Sequence, residues 1–143
     1  MKYFAIATLV VSSLLISLAS QADGSKVVLG GYCAVAYVAA QKALYGDPKY
    51  QSEYEGKTYH FINDDAKQAF DKEPTKFVKA IKYNAYCATG VALGKKLLTD
   101  PKLFSTVDGK VYLFSSQEAK DAFDKDPKGM IAKAEGNWAE LER

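Results

Sequence analysis

Side chains that carry chemistry are scarce in this 143-residue chain, which has one histidine, two cysteines and one tryptophan. No Ser-His-Asp set, His-Glu-x-x-His pair or glycine-rich phosphate loop can be assembled, so the hydrolase and nucleotide-enzyme classes lose their basis. The chain is read as a non-enzyme, with no catalytic residues. An excess of one charge is also lacking. Nineteen Lys+Arg stand against 17 Asp+Glu, alternating in sign along the sequence, and no basic stripe suggests a nucleic-acid footprint.

Long apolar runs are missing too, except at the start. Residues 1–22 combine one basic residue, an uncharged apolar stretch and small residues at Ala19 and Ala22, the pattern of a secretory signal peptide. Cleavage after either alanine fits. The expectation is a periplasmic or secreted protein that leaves no membrane segment after cleavage, with residues 23–143 as a single domain. About 120 residues suffice for one core, whereas two halves of roughly 50 would each be marginal alone.

What is there is a repeat. Glu53–Phe70 returns 53 residues later as Thr106–Phe123, with the turn glycine, a Tyr-x-aromatic strand and an Ala-Lys-x-Ala-Phe helix all aligned. Glu55-Gly56 and Asp108-Gly109 are hairpin signals between short runs of β-formers. Asn63, and Ser115 with Glu118 three residues on, mark helix starts. Ala66, Ala69 and Phe70, like Ala119, Ala122 and Phe123, have the spacing of one helical stripe. The fold class expected is therefore α+β, with two pseudosymmetric hairpin-plus-helix repeats, about 30–82 and 84–138, packed into one compact domain. In the first hairpin Tyr59 and Phe61 alternate with Thr58 and His60, as in a half-exposed strand. In the second, Val111 and Leu113 oppose Tyr112 and Phe114, as in a strand buried on both faces near the centre of a sheet. Gly46-Asp-Pro-Lys49 and Thr99-Asp-Pro-Lys102 read as turns before the hairpins. Pro74 and Pro127 each open a further helix, and Trp138 is expected to cover the second repeat.

Gly31-Tyr-Cys-Ala34 recurs more loosely as Ala85-Tyr-Cys-Ala88, at an offset of 54 rather than 53, so one residue is lost from the second copy before Asp100. Alanine-rich stretches follow both cysteines and favour helix. Cys33 and Cys87 would then sit at helix N-termini, where backbone N–H groups favour a thiolate.

Gly31-Tyr-Cys-Ala-Val-Ala-Tyr37, the Glu/Asp-Gly-Lys-x-Tyr-x-Phe hairpins, the Ala-x-x-Ala-Phe helices and the Asp-Lys-Glu/Asp-Pro stops together resemble the YHS domain family, in particular its secreted bacterial members with two tandem repeats. The resemblance spans Gly30 to Leu141. Metal-associated members carry further cysteines after the hairpin and in the helix. Here Phe61-Ile62-Asn63, Phe114-Ser115-Ser116, Ala66 and Ala119 stand instead, and only Cys33 and Cys87 match.

Two functions follow as expectations. One is binding of a soft metal ion, copper(I) above all, by Cys33 and Cys87 with His60 as a third ligand; two thiolates suit copper(I), whereas structural zinc needs four ligands. The other is a non-catalytic ligand or protein interaction module in which Tyr32, Tyr37 and Tyr86 line a small-ligand site and the cysteines form a structural disulfide. In an oxidising compartment that bridge would stabilise the fold by roughly 4 kcal/mol.

Overall fold

Glu55-Gly56 and Asp108-Gly109 both take left-handed backbone, with φ of 50° and 72° in one turn and 49° and 71° in the other. Such two-residue turns match the right-handed twist of a hairpin, and a hairpin surrounds each. The computed structural model describes residues 26–143; the signal-peptide reading of residues 1–22 lies outside them. Strand β1 (Asp47–Tyr54) pairs with β2 (Lys57–Phe61), and β3 (Asp100–Val107) with β4 (Lys110–Phe114), all antiparallel. Each hairpin is followed by two helices, α1 (Asp64–Lys72) and α2 (Pro74–Ala80), then α4 (Gln117–Lys125) and α5 (Pro127–Leu141). The second unit opens with the short α3 (Ala88–Ala92), ahead of its hairpin. The fold is α+β and consists of two repeats.

Several local expectations change in detail. The Asp-Pro-Lys stretches are strand starts rather than preceding turns: Asp47 and Asp100 open β1 and β3, and each carboxylate accepts the N–H of Lys49 or Lys102 at 3.0 and 2.9 Å. The pairing slips just after them, between Asp47 and Gln51 and between Asp100 and Phe104, as expected of a bulge where proline cannot donate. Asn63 caps α1 through the Ala66 N–H at 2.9 Å, but the cap of α4 is Ser116, not Ser115. Ser116 is the residue in register with Asn63, and Ser115 is turned to other use.

Phe61 and Tyr59 pack on Phe70, and Phe114 and Tyr112 on Phe123, with ring centroids 4.8 to 5.1 Å apart. These are two equivalent centres of one core, because β4 faces both. Tyr112 and Phe114 belong to the second centre, while Val111 and Leu113 lie in the first with Phe61 and Phe70. All four are at most 3% exposed. The sheet itself remains two-stranded; the other edge of β4 is met by isolated parallel bridges from Ile81 and Cys87. The half-exposed reading of β2 is corrected, since Thr58 and His60 are 5% and 9% exposed. Two segments cover them: Val27 runs beside Thr58, and Gly46 passes so close over His60 that a Cβ there would lie 2.7 Å from it.

The lost residue has a structural form. Cys33 leads into a helix whose second part, Ala36–Ala40, is a π-helix, whereas Cys87 leads into α3. A π-turn spends one more residue per hydrogen bond than an α-turn. The offset between repeats is therefore 54 before this turn and 53 after it. Trp138 covers the second repeat as expected, 5.5 Å from Tyr83 and 6.4 Å from Tyr86. Met130 and Ile131 are only partly buried, and the innermost residue of α5 is Ala134 at 0%.

Candidate functional site

Leu29-Gly30-Gly31 and Tyr83-Asn84-Ala85 are equivalent triplets, and each holds three successive left-handed residues, with φ of 57°, 58° and 86° and of 57°, 51° and 65°. Glycine takes this conformation freely; other L-residues lose on the order of 1–2 kcal/mol each. The second triplet contains no glycine, so its neighbours must hold it there. Tyr83, 3% exposed, donates to Glu135 Oε1 on α5 at 3.1 Å, and Thr99 Oγ1 donates to the Ala85 carbonyl at 2.9 Å.

Both triplets border one groove. Its walls come from residues 26–30, residues 84–86 and Leu98, Thr99 and Pro101, and its volume is about 350 Å³, within the range of small-molecule sites. Leu98 and Val27 stand on its walls 80% and 40% exposed. A narrower cleft of about 40 Å³ shares Val28, Leu29, Asn84 and Ala85 with it and is also lined by Lys57 and Tyr59. The walls are fixed across the repeats. Tyr37 of the first repeat donates its hydroxyl to the Pro101 carbonyl and meets Phe104 edge-on at 5.1 Å. Burial first, then nearby negative groups, push the Tyr37 hydroxyl well above the ordinary phenol range. Tyr83 is raised likewise, by burial and then by Glu135. The Glu135 carboxyl is held below its usual range mainly by the bond from Lys82, which outweighs its partial burial.

The residues singled out in the sequence scatter around this groove. Tyr86 lines it, with the Lys96 ammonium 5.8 Å above its ring. Tyr32 is half-buried and meets Tyr45 edge-on at 5.4 Å. Tyr37 is 0% exposed; it is a latch between repeats, and its assignment as a ligand contact is corrected. Cys33 and Cys87 are free thiols, both 0% exposed, the first in the first core centre and the second in the other. The helical setting expected for them is present: the Cys33 carbonyl accepts Tyr37 N–H at 3.3 Å and the Cys87 carbonyl accepts Val91 N–H at 2.9 Å. Only Cys87 shows hydrogen bonds to sulfur, from Gly90 N–H at 3.4 Å and Ser115 Oγ at 3.5 Å. Among the described residues His60 Nδ1 is buried without a hydrogen-bond partner. Among the described residues no three His, Cys, Asp or Glu side chains gather closely enough to hold a metal ion, so Cys33, Cys87 and His60 are not brought together as a three-ligand set.

The reading of the sequence missed Leu98, Asn84 and Ala85. Extending the repeat alignment places Leu97-Leu98 opposite Leu44-Tyr45, two apolar pairs in turn-rich stretches, and all four are at least 38% exposed. No protein-family model matches the chain, and neither the curated proteins nor the solved structures contain a match. No helix among the described residues is long and apolar enough to cross a membrane.

Proposed function

We propose that this is an exported, non-catalytic binding module whose ligand lies in the groove between the repeats. The observation that carries the reading is the convergence of the two left-handed triplets on one concave surface. Left-handed non-glycine backbone collects at ligand clamps and switch sites, where the surroundings over-determine it, and here Thr99 and Glu135 supply that constraint. Apolar side chains left exposed beside a groove have the same meaning. Trp138 packs on the groove-wall residue Tyr86, so its fluorescence reports occupancy. The neutral probe N-phenyl-1-naphthylamine is expected to bind saturably, one per chain, and to alter Trp138 emission. Leu98→Asp, a change at an exposed position, should abolish both effects without lowering the melting temperature. Binding that does not saturate, or that survives Leu98→Asp, would sink the proposal.

Copper(I) binding by Cys33 and Cys87 is the second reading. The equivalent placement of the two thiols at the heads of helical turns favours it, together with the resemblance to YHS domains. Full burial of both sulfurs and their membership of different core centres weigh against it. Anaerobic titration of reduced protein against a chromophoric copper(I) chelator separates the readings. Competition that disappears in Cys33→Ser/Cys87→Ser supports the metal site, and competition unchanged in that variant removes it.

A further inference from the structure

Six ion pairs are present among the described residues, as expected of a surface where charges alternate in sign. The groove and its adjoining cleft break that alternation. Lys26 lines the groove and Lys57 the cleft, and among the described residues no acidic side chain is in either lining, although Asp100 lies between the lining residues Thr99 and Pro101. Neither lysine belongs to any of those six pairs. The rest of the lining is largely apolar, with Val27, Val28, Leu29, Leu98 and Pro101 along the walls. Of the three neutral polar side chains there, the Thr99 hydroxyl is committed to the Ala85 carbonyl, which leaves the Asn84 carboxamide and the Tyr86 hydroxyl as polar contacts.

From this combination we infer that the groove selects a single-chain anionic amphiphile, a hydrocarbon tail that ends in a carboxylate. The tail removes Leu98 and Val27 from water, at about 25 cal/mol per Å² of apolar surface covered. The head meets the ammonium groups of Lys26 and Lys57, in a concave site where low-dielectric walls strengthen the attraction. A cationic head would be repelled by both lysines. A neutral head would gain the apolar contact and nothing more. The volume lies near the lower end of the range for small-molecule sites and suits one chain as a free monomer rather than a two-chain lipid drawn from a bilayer. The inference rests on the groove being the binding site, and the experiment separates the two claims.

The probes are dodecanoate, dodecanol and dodecyltrimethylammonium, each below its micelle concentration, titrated into the purified protein with Trp138 emission and calorimetry as readouts. Dodecanoate should bind at least tenfold more tightly than either of the others. Lys26→Gln/Lys57→Gln should remove that preference while leaving dodecanol binding unchanged, and added salt should weaken dodecanoate alone. Leu98→Asp should abolish binding of all three. Equal affinity for the three probes overturns the charge selection and leaves the groove reading standing. No binding of any probe overturns both. Dodecanoate binding that persists in Leu98→Asp places the ligand elsewhere and overturns the inference. Association with phosphatidylglycerol vesicles in the absence of dodecanoate binding overturns it in favour of a membrane surface.

Discussion

Cys33 and Cys87 each begin a helical turn with the same backbone bond to the residue four places on, yet the first turn opens into a π-helix and the second closes as α3. The difference propagates outward. In the first repeat the extra residue accompanies Tyr37, which reaches across to Pro101 of the second repeat. In the second repeat α3 packs along α5, where Asn137 Nδ2 donates to the carbonyls of Val91 and Ala92 at 3.0 Å each. That packing uses a 15-residue helix where the first repeat has the 7-residue α2. One repeat is thus finished by its partner and the other by its own C-terminal helix. Duplication supplied two equal hairpins, and departures from equality made them one body.

Phe70 and Phe123 offer the hardest test of that unity. Each is at most 1% exposed, and truncating a buried phenylalanine costs about 3–5 kcal/mol. Phe70→Ala and Phe123→Ala should lower the urea midpoint by similar amounts. Because β4 faces both centres, Phe70→Ala in the first repeat should shift the transition seen by Trp138 in the second, in step with circular dichroism. A Trp138 transition that ignores Phe70→Ala would mean two independent lobes.

The hairpins, both proline-headed helices and the Phe70 and Phe123 stripes were legible in the sequence because each depends on local geometry, a turn that demands glycine or a period of 3.6. The burial of His60 was not. Period-two alternation reports one face of a strand, and the cover on the other face comes from Val27 and Gly46, residues with no signal in the hairpin itself. The Ser116 cap was readable, since strict register with Asn63 points to it, but the capping-box pattern at Ser115 and Glu118 is the more conspicuous one. The cysteines drew attention as rare, reactive residues, yet both sulfurs pack in the core. The groove residues Asn84 and Leu98 carry no motif, Ala85 only opens the looser copy of the Gly-Tyr-Cys-Ala motif, and their importance arises where two distant triplets meet.

His60 and Leu113 are equivalent residues on β2 and β4, and they sharpen the comparison at the next level of effect. Leu113 fills its site at 1% exposure, whereas His60 Nδ1 is buried with no partner among the described residues. An unsatisfied buried polar group costs about 1–3 kcal/mol. His60→Leu, which makes the first repeat like the second, should raise stability by about that much, and Leu113→His should lower it by more. Chemical denaturation of the two variants decides the matter, and a destabilised His60→Leu would show that His60 has a working partner in solution.

The left-handed triplets predict a smaller, reciprocal exchange. Ala85 holds φ of 65° where the first repeat has Gly31, so Ala85→Gly should relieve strain by about 1 kcal/mol. The reverse change, Gly31→Ala, adds strain and sets a Cβ 3.1 Å from the Tyr45 ring, so it should destabilise. Melting temperatures moving in opposite directions would confirm that the two turns share one conformation. Movement in the same direction would break the equivalence.

The gentlest test is pH, because, beside the equivalent Tyr59 and Tyr112 that burial also raises, each repeat holds one buried tyrosine hydroxyl in a non-equivalent hydrogen bond, Tyr37 to Pro101 and Tyr83 to Glu135. Both are held protonated to higher pH in the fold than in the unfolded chain, where the hydroxyl titrates near 10.0. The unfolded state therefore loses its protons first, and between the two titrations the native state binds more of them. Stability is then fully present below pH 10 and declines as pH rises beyond it. Tyr37→Phe should weaken that decline while giving up the bond to Pro101, worth about 1 kcal/mol at neutral pH. Tyr83→Phe should weaken it too, and by an amount that adds to the first, since the two hydroxyls have no common partner. Urea midpoints measured across the alkaline range for the two single variants and the double variant give the answer. An undiminished decline in the double variant would assign the alkaline sensitivity to other buried groups, Tyr59 and Tyr112 first among them.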